Sequence, residues 1–376
     1  MRLAFIIYRY FPFGGLQLDF RRMLEEGIRR GHDITVLYAY WEGDRISGAA
    51  YQELPGEAST NWGKMLAFER SVGEYLKTEK FDLTVGFNRM AGLDIYFAAD
   101  NCFAESSRRK SRLIRLLAPR YRVFERLEQS VFGKDARTVI LYLVENQKRV
   151  YQQIYHTAEE RFRLLPPGIS DDFRLPDADR RQELRQKVRT EFHVPEDAVL
   201  LIQVCSSFRT KGLDRVLHVL GALPETLQEK IVFLAVGKEK PGRYGRQAQR
   251  RGTHFRTVFT GPRSDVAELL PASDLMVHPA RNEATGTVLA EAIACGLPSV
   301  CSGCCGYAPL VGAAGGFVLR EPYSDNDLLR ILESLLVSPS ALHEIRRETE
   351  AFAATVDYHH RAECALNIIE ETAGYV

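Results

Sequence analysis

A chain of 376 residues exceeds the roughly 250–300 at which single hydrophobic cores stop growing, so two domains are expected. Fifty basic residues against 49 acidic ones exclude a global charge bias toward nucleic acid, and electrostatic targeting must come from local clusters. Hydrophobic content of 45% is ample for buried cores, yet no run of about 18 apolar residues is present to span a bilayer.

The first stretch, MRLAFIIYRYFPFGG, is not expected to be a signal peptide, because its apolar run is short and ends in Arg9. LAFIIY (3–8) reads as a strand closed by the turn FPFGG. Leu16, Phe20, Leu24 and Ile28 then recur every four residues, the stripe of a helix facing a core. DITVLYAY (33–40) is the next strand, so the chain opens with a βαβ unit and a parallel sheet. Further strands are predicted at 83–87, 95–99, 138–144 and 162–168. After Pro166-Pro167-Gly168, SDDFRLPDADRR reads as a linker. The alternation restarts with strands at 198–204, 231–237, 257–261, 275–279 and 298–301. Two successive α/β sheets joined near residue 170 are expected. Ligands of such sheets sit beyond the strands' carboxyl ends, and the crevice between the two domains is the default site.

Seven cysteines, an odd number in mostly strand-like contexts, point to a reducing cytoplasm. CSGCC (Cys301, Cys304, Cys305) has neither a second cysteine pair nor a nearby histidine to close a four-ligand zinc site. Inert core thiols are the better reading, and no metal is expected.

Three segments stand just after strands. Gly14 and Gly15 let a ligand approach the backbone closely and let amides point outward, although Gly-Gly also serves ordinary turns. Asp19, one turn on, reads from sequence alone as a solvated helix acid. In CSSFRTKGLD, Arg209 and Lys211 precede a helix start, where two cations oppose the macrodipole unless an anion is present; a diphosphate resolves that conflict. In HPARNEATGTVLAEAIACGLP (278–298), Thr285 or Thr287 is expected to cap a helix whose start offers amides to a phosphate. Glu283 lies in the loop and Glu291 one turn inside the helix. Each carboxylate can accept two hydrogen bonds from a vicinal diol, which suits Glu283 to a hexose and Glu291 to a ribose.

With an upstream basic-x-Lys-Gly loop, this Glu-x7-Glu pattern resembles the retaining nucleotide-sugar glycosyltransferases of family four. YRYFPFGGLQLDF, RGHDITV, WEGD, GFNRMAGLDIYFAAD, RYRVFERLEQSVF, RFRLLPPGI, KGLDR and CGYA, in order along nearly the whole chain, narrow the resemblance to the lipopolysaccharide core glucosyltransferases. The resemblance implies an α/β protein of the GT-B fold, two Rossmann-like domains with the active site in the cleft between them. An acceptor-binding domain would span 1–168 and a nucleotide-sugar-binding domain 169–357, with a helix over 358–374 packing back on the first. It implies transfer of a hexose, glucose by this family, from a UDP-sugar to an inner-core heptose, with the UDP-sugar as substrate and no cofactor. Gly14 and Gly15 would approach the diphosphate, Asp19 would line the acceptor side, and Asp100 would stand near the donor hexose and acceptor. Arg209 and Lys211 would hold the diphosphate, Ala284, Gly286 and Thr287 would supply amides, Glu283 would bind the hexose and Glu291 the ribose. Asp100, Lys211 and Glu283 are the implied catalytic residues.

The chain departs from the family pattern at four places, one of them the basic loop, where Arg209 sits two before Lys211 and some relatives have Arg-Lys adjacent. Leu18 stands where a basic residue is usual, Phe173 occupies an arginine position, and Pro309 follows CGYA in place of histidine. Retention by double displacement needs a carboxylate nucleophile, and Asp100 is the only one the family match brings near. The other route is front-face return, in which the leaving phosphate oxygen takes the acceptor's proton; the family favours it.

RRKSRLIRLLAPRYRVFERLEQSVF (108–132) is the strongest charge asymmetry. Arg108, Arg109, Lys110, Arg112, Arg115, Arg120, Arg122 and Arg126 interleave with apolar residues and face only Glu125 and Glu128. A basic amphipathic segment broken at Pro119 reads as an interfacial anchor on an anionic leaflet, against the plainer reading of a solvated helix packed on a sheet. The expected location is cytoplasmic, peripheral on the inner membrane. Competing readings are an epimerase or hydrolase, for which no histidine pair is placed, a non-catalytic nucleotide- or lipid-binding scaffold, and a transferase using an N-acetylhexosamine donor.

Overall fold

The structure, a computed structural model, describes residues 1–12, 14–108, 110–250 and 252–374. The chain divides into two compact units, Met1–Gly168 with His360–Val376, and Ile169–His359.

In the first unit, β1 (Arg2–Tyr10), α1 (Gly15–Arg29), β2 (Asp33–Trp41), β3 (Ala50–Glu53), α2 (Asn61–Thr78), β4 (Leu83–Gly86) and β5 (Ile95–Ala98) follow in order. Then come α3 (Phe103–Arg108), α4 (Arg112–Leu117), α5 (Pro119–Phe132), β6 (Val139–Tyr142), α6 (Glu145–Tyr155) and β7 (Phe162–Leu164). The seven strands are ordered β3-β2-β1-β4-β5-β6-β7, and every pairing is parallel. Leu3–Ile7 of β1 are buried throughout, as a central parallel strand covered on both faces requires.

The second unit comprises α7 (Ala178–Glu191), β8 (Val199–Val204), α8 (Leu213–Leu220), α9 (Glu225–Gln228), β9 (Ile231–Val236), α10 (Gly242–Ala248) and β10 (Arg256–Gly261). It continues with α11 (Val266–Ala272), β11 (Leu275–His278), α12 (Thr287–Ala294), β12 (Ser299–Ser302), α13 (Ala308–Ala313), β13 (Phe317–Leu319), α14 (Asp325–Val337) and α15 (Pro339–Ala353). Its parallel sheet is ordered β10-β9-β8-β11-β12-β13, packed over a core that includes Leu201, Val216, Phe233 and Leu275. In each sheet the strand order reverses once, between β1 and β4 and between β8 and β11. Those are the switch points where the loops diverge and open sheets of this kind hold ligands.

The last helix, α16 (Arg361–Thr372), belongs to the first unit and packs on α1. Arg30 bonds Glu370 at 2.7 Å and the His32 ring lies 2.8 Å from the same carboxylate.

Two strands escape the sequence reading. β3 is a four-residue edge strand with mixed polarity, and β13 is apolar but only three residues long, too short to stand out as a strand. The basic stretch does break at Pro119, and it is divided once more, ahead of α4. α3, α4 and α5 are separate, and Pro119 is the first residue of α5, where its missing N–H is harmless.

Candidate active site

The loops that follow β8 and β11 are stitched together at their switch point. Arg281 N–H donates to Thr210 O at 2.8 Å, and its guanidinium bonds Arg209 O at 3.0 Å and both Asp214 oxygens at 2.7 and 2.8 Å. Arg215 reaches the other way, donating to Pro279 O and Ala280 O at 3.0 and 3.1 Å while its guanidinium lies 3.8 Å over the Tyr323 ring. Gln203 donates to Lys211 O at 2.8 Å. Gly212 makes this approach possible: its φ is +74°, and a Cβ there would stand 2.1 Å from Pro279 O.

Within that frame, Lys211 Nζ bonds Glu283 Oε2 directly, with both side chains largely buried. His278, fully buried at the end of β11, has Nε2 3.4 Å from the same oxygen. Burial works against the charged form of Glu283, but the His278 hydrogen bond and the Lys211 charge outweigh it, holding the carboxyl below its usual range. The Arg209 side chain is exposed, and among the described residues it makes no hydrogen bond or ion pair. It is free to meet a ligand.

The start of α12 differs from the expected cap. Neither Thr285 nor Thr287 caps it. Gly286, with φ +81°, is the N-cap and brings no capping side chain, and Thr287 is the first helical residue. Thr285 O instead accepts from Tyr307 N–H at 2.7 Å. A helix start without a capping side chain keeps its amides for an outside anion. Ala284 lies in the loop just before it, and Glu291, half-buried, lies within α12. All seven cysteines are free, and burial pushes the thiols of Cys205 and Cys295 up to about 12, which suits inert groups.

In the first unit, Gly14 is the N-cap of α1 and Gly15 its first residue, closing the connection from β1. A Cβ on Gly14 would strike Gln17 Oε1 at 2.4 Å, whereas Gly15 has open space. Asp19 is not a solvated helix acid. It is buried, and both carboxylate oxygens accept from Arg361 Nη1 at 3.0 and 2.8 Å. Burial pushes its carboxyl up, against the opposing charges of Arg361 and Arg22. Asp100 follows β5 with its side chain exposed, and its carbonyl accepts from Gln147 Nε2 at 2.8 Å. Leu18 is exposed on α1, Phe173 is half-buried and Pro309 lies in the first turn of α13.

The basic segment is split in its allegiance. Leu113, Ile114, Leu116 and Leu117 of α4 are 71%, 50%, 67% and 76% exposed, an apolar patch with Arg108, Lys110, Arg120 and Arg122 also exposed. Arg115 instead bonds Glu125 at 2.8 Å, and Arg126 pairs with Glu69. Arg112 opens α4, and Arg109 lies outside the described residues. Tyr121 and Phe124 pack on Phe103, and Leu127, Val131 and Phe132 enter the core. So α5 is bound to the protein on one side, and α4 carries the exposed apolar face. No helix among the described residues is long and apolar enough to cross a membrane.

His278, Gln203, Arg215, Arg281 and Arg361 were not singled out from the sequence. Only the His-Pro strand end hinted at the first, and the others are polar residue types whose partners only the folded chain brings near.

Residues 185–352 match the family model of the glycosyl transferases group 1. The lipopolysaccharide glucosyltransferase WaaG of Escherichia coli (strain K12) is 36% identical over 370 residues, 98% of this chain and 98% of its own. The crystal structure of WaaG, a glycosyltransferase involved in lipopolysaccharide biosynthesis, superposes with a TM-score of 0.85 at 37% identity, covering 98% of this chain and 99% of that one. Anabaena HepE, solved in complex with UDP and glucose, shares the fold at 18% identity, with a TM-score of 0.71 over 100% of both chains. The two parallel α/β sheets are those of the GT-B fold. The chain belongs to the glycosyltransferase family of the lipopolysaccharide glucosyltransferase WaaG.

Proposed function

We propose that this enzyme transfers glucose from UDP-glucose to an inner-core heptose of lipopolysaccharide, with retention at the anomeric carbon and without a metal ion. The observation that carries the reading is the Lys211–Glu283 pair, drawn from the ends of β8 and β11 beside the uncapped start of α12. The 36% identity to WaaG across the whole chain supports the choice of glucose and heptose.

Arg209, Lys211 and the amides of Ala284, Gly286 and Thr287 bind the diphosphate, with Gly14 and Gly15 admitting it close to the backbone. Glu291 holds the ribose diol and Glu283 the hexose hydroxyls. Asp100 faces the transferred sugar and Asp19 belongs to the acceptor side, where its bond to Arg361 fixes the start of α16 rather than a ligand. In the front-face route, the acceptor oxygen attacks the anomeric carbon as its bond to phosphate breaks, and the acceptor's proton passes to the departing phosphate oxygen. The protein's part is to stabilise charge growing on that diphosphate, which fixed cations and helix amides do without a metal.

Residues 108–126 act as a peripheral anchor on the cytoplasmic face of an anionic membrane, with the α4 leucines entering the interface and exposed arginines meeting headgroups. Exposed leucines beside exposed cations, all on one short stretch, support this over the solvated-helix reading.

UDP release in the presence of EDTA, with a heptose-terminated core acceptor and a panel of UDP-sugars, tests the proposal. Acceptor-dependent release with UDP-glucose is expected. Release with a UDP-N-acetylhexosamine instead changes the donor, and loss of activity in EDTA removes the metal-free mechanism. No release with any donor, alongside intact UDP binding, points to a scaffold and makes Leu18 and Phe173 the first residues to revert.

A further inference from the structure

Asp100 has an exposed side chain, but its backbone is held from beneath. Its carbonyl accepts from Gln147 Nε2 at 2.8 Å, Tyr151 Oη at 3.2 Å and Arg89 Nη2 at 3.3 Å. Gln147 also donates to Ala98 O at 2.8 Å, and Arg89 Nη2 to Asn101 O at 2.8 Å. The segment running out of β5 is therefore bonded at residues 98, 100 and 101 by side chains from two other elements, the loop after β4 and α6.

Arg89 is itself fixed. Its Nη1 lies 3.1 Å from Glu128 Oε1, on the fully buried inner face of α5, and its Nη2 donates to Tyr151 Oη at 2.8 Å. Glu128 in turn accepts from Phe103 N–H at 2.8 Å, Ala104 N–H at 2.9 Å and Tyr155 Oη at 2.7 Å. A buried arginine–carboxylate pair of this kind adds little net stability over apolar residues of the same volume, so its geometric role is the more informative one. A guanidinium presents several donors in a rigid fork, and here the fork spans Glu128, Tyr151 and two consecutive carbonyls. It fixes where residue 100 stands through its backbone, since the bonds from Arg89, Gln147 and Tyr151 all go to the Asp100 carbonyl.

We propose that Arg89, supported by Glu128 and Gln147, is a positioning residue for the transfer reaction: it locks the Asp100–Asn101 backbone so that the Asp100 carboxylate is presented to the sugar in one orientation. This inference rests on the reading that Asp100 faces the transferred hexose. Arg89 acts through Asp100 and touches no substrate.

The test uses the full-length protein with Arg89→Lys, which keeps the charge facing Glu128 but loses the fork, together with Asp100→Asn and the double variant. A loose carboxylate costs turnover rather than donor affinity, so Arg89→Lys is expected to lower kcat by about 10- to 100-fold while KM for the UDP-sugar holds within about twofold. Because the two residues act as a unit, the double variant is expected to be no slower than the worse single one. Amides of residues 98–104 are expected to exchange faster in Arg89→Lys, with β1 and β4 unaltered. Should Arg89→Lys fail to fold, Gln147→Met, which leaves the ion pair intact, is judged by the same kcat, KM and exchange criteria. A crippled Asp100→Asn beside a fully active Arg89→Lys, losses that multiply in the double variant, or unaltered exchange at 98–104 overturns the positioning role alone. Full activity in Asp100→Asn overturns the assignment of Asp100 and the positioning role with it.

Discussion

Asp19 and Arg361 are separated by 342 residues in the chain, yet one Arg361 nitrogen lies 2.8 and 3.0 Å from the two oxygens of the Asp19 carboxylate in a buried site. The same guanidinium donates through Nε to Pro166 O at 2.9 Å, so it ties α1, the end of the first unit's main segment and α16 together. Removing one partner of such a pair leaves a buried charge uncompensated. Arg361→Ala is expected to destabilise the first unit by about 3–5 kcal/mol, and Asp19→Leu with Arg361→Met to recover most of that loss. Denaturant unfolding of the three proteins measures both. A double variant as unstable as Arg361→Ala would show that the pair does more than hold α16.

Lys211 is fixed in the loop after β8 by its ion pair with Glu283 and by the bond from Gln203 to its carbonyl. If it stabilises the leaving diphosphate, Lys211→Ala lowers turnover by about 10²-fold or more, in proportion to what a lost oxyanion donor removes. Steady-state rates at saturating UDP-glucose read this out. An unaltered rate sinks the assignment.

The depressed carboxyl of Glu283 has a consequence for acid stability. A group whose folded pKa lies below its unfolded one stabilises the fold fully above the ordinary carboxylate value, 4.5, and loses that contribution as pH falls through the folded value. The stability gap between the wild type and Glu283→Gln is therefore expected to narrow on going from about pH 5 to pH 3, with the wild type the steeper of the two. Urea midpoints collected across that window check the sign. A gap that stays constant or widens contradicts it.

For the basic segment, each cation near an anionic leaflet contributes about 1 kcal/mol, so Arg120→Ala with Arg122→Ala weakens partition onto anionic vesicles by about 30-fold. Leu113→Asp with Leu117→Asp removes apolar insertion and is expected to reduce binding to a similar or greater extent. Flotation with anionic and zwitterionic vesicles separates the charge and apolar contributions. Equal binding of the wild type to both lipids removes the anchor proposal.

Much of this molecule is determined locally and is legible without coordinates. The apolar runs of β1, β8 and β9 mark buried parallel strands, because a strand covered on both faces is apolar along most of its length rather than at alternate positions. The four-residue spacing of Phe20 and Leu24 places α1 against the sheet, and the alternation of strand and helix implies the parallel topology. Lys211, Glu283 and Glu291 could be nominated because segments after strands hold ligands and their residue types suit anions and diols, whereas Gly286 came only with the family resemblance. Tertiary structure alone decided the rest. The pairing of Lys211 with Glu283, the clasp of Arg215 and Arg281 across Gly212, and the burial of Asp19 against Arg361 all join residues from distant parts of the chain. A polar side chain carries no periodic signal that tells which partner will meet it, since that depends on which loops the sheet order brings together. For the same reason the segment 108–132 read as one uniform basic stretch, although folding commits Arg115, Arg126 and Glu128 to the protein and leaves the leucines of α4 outside.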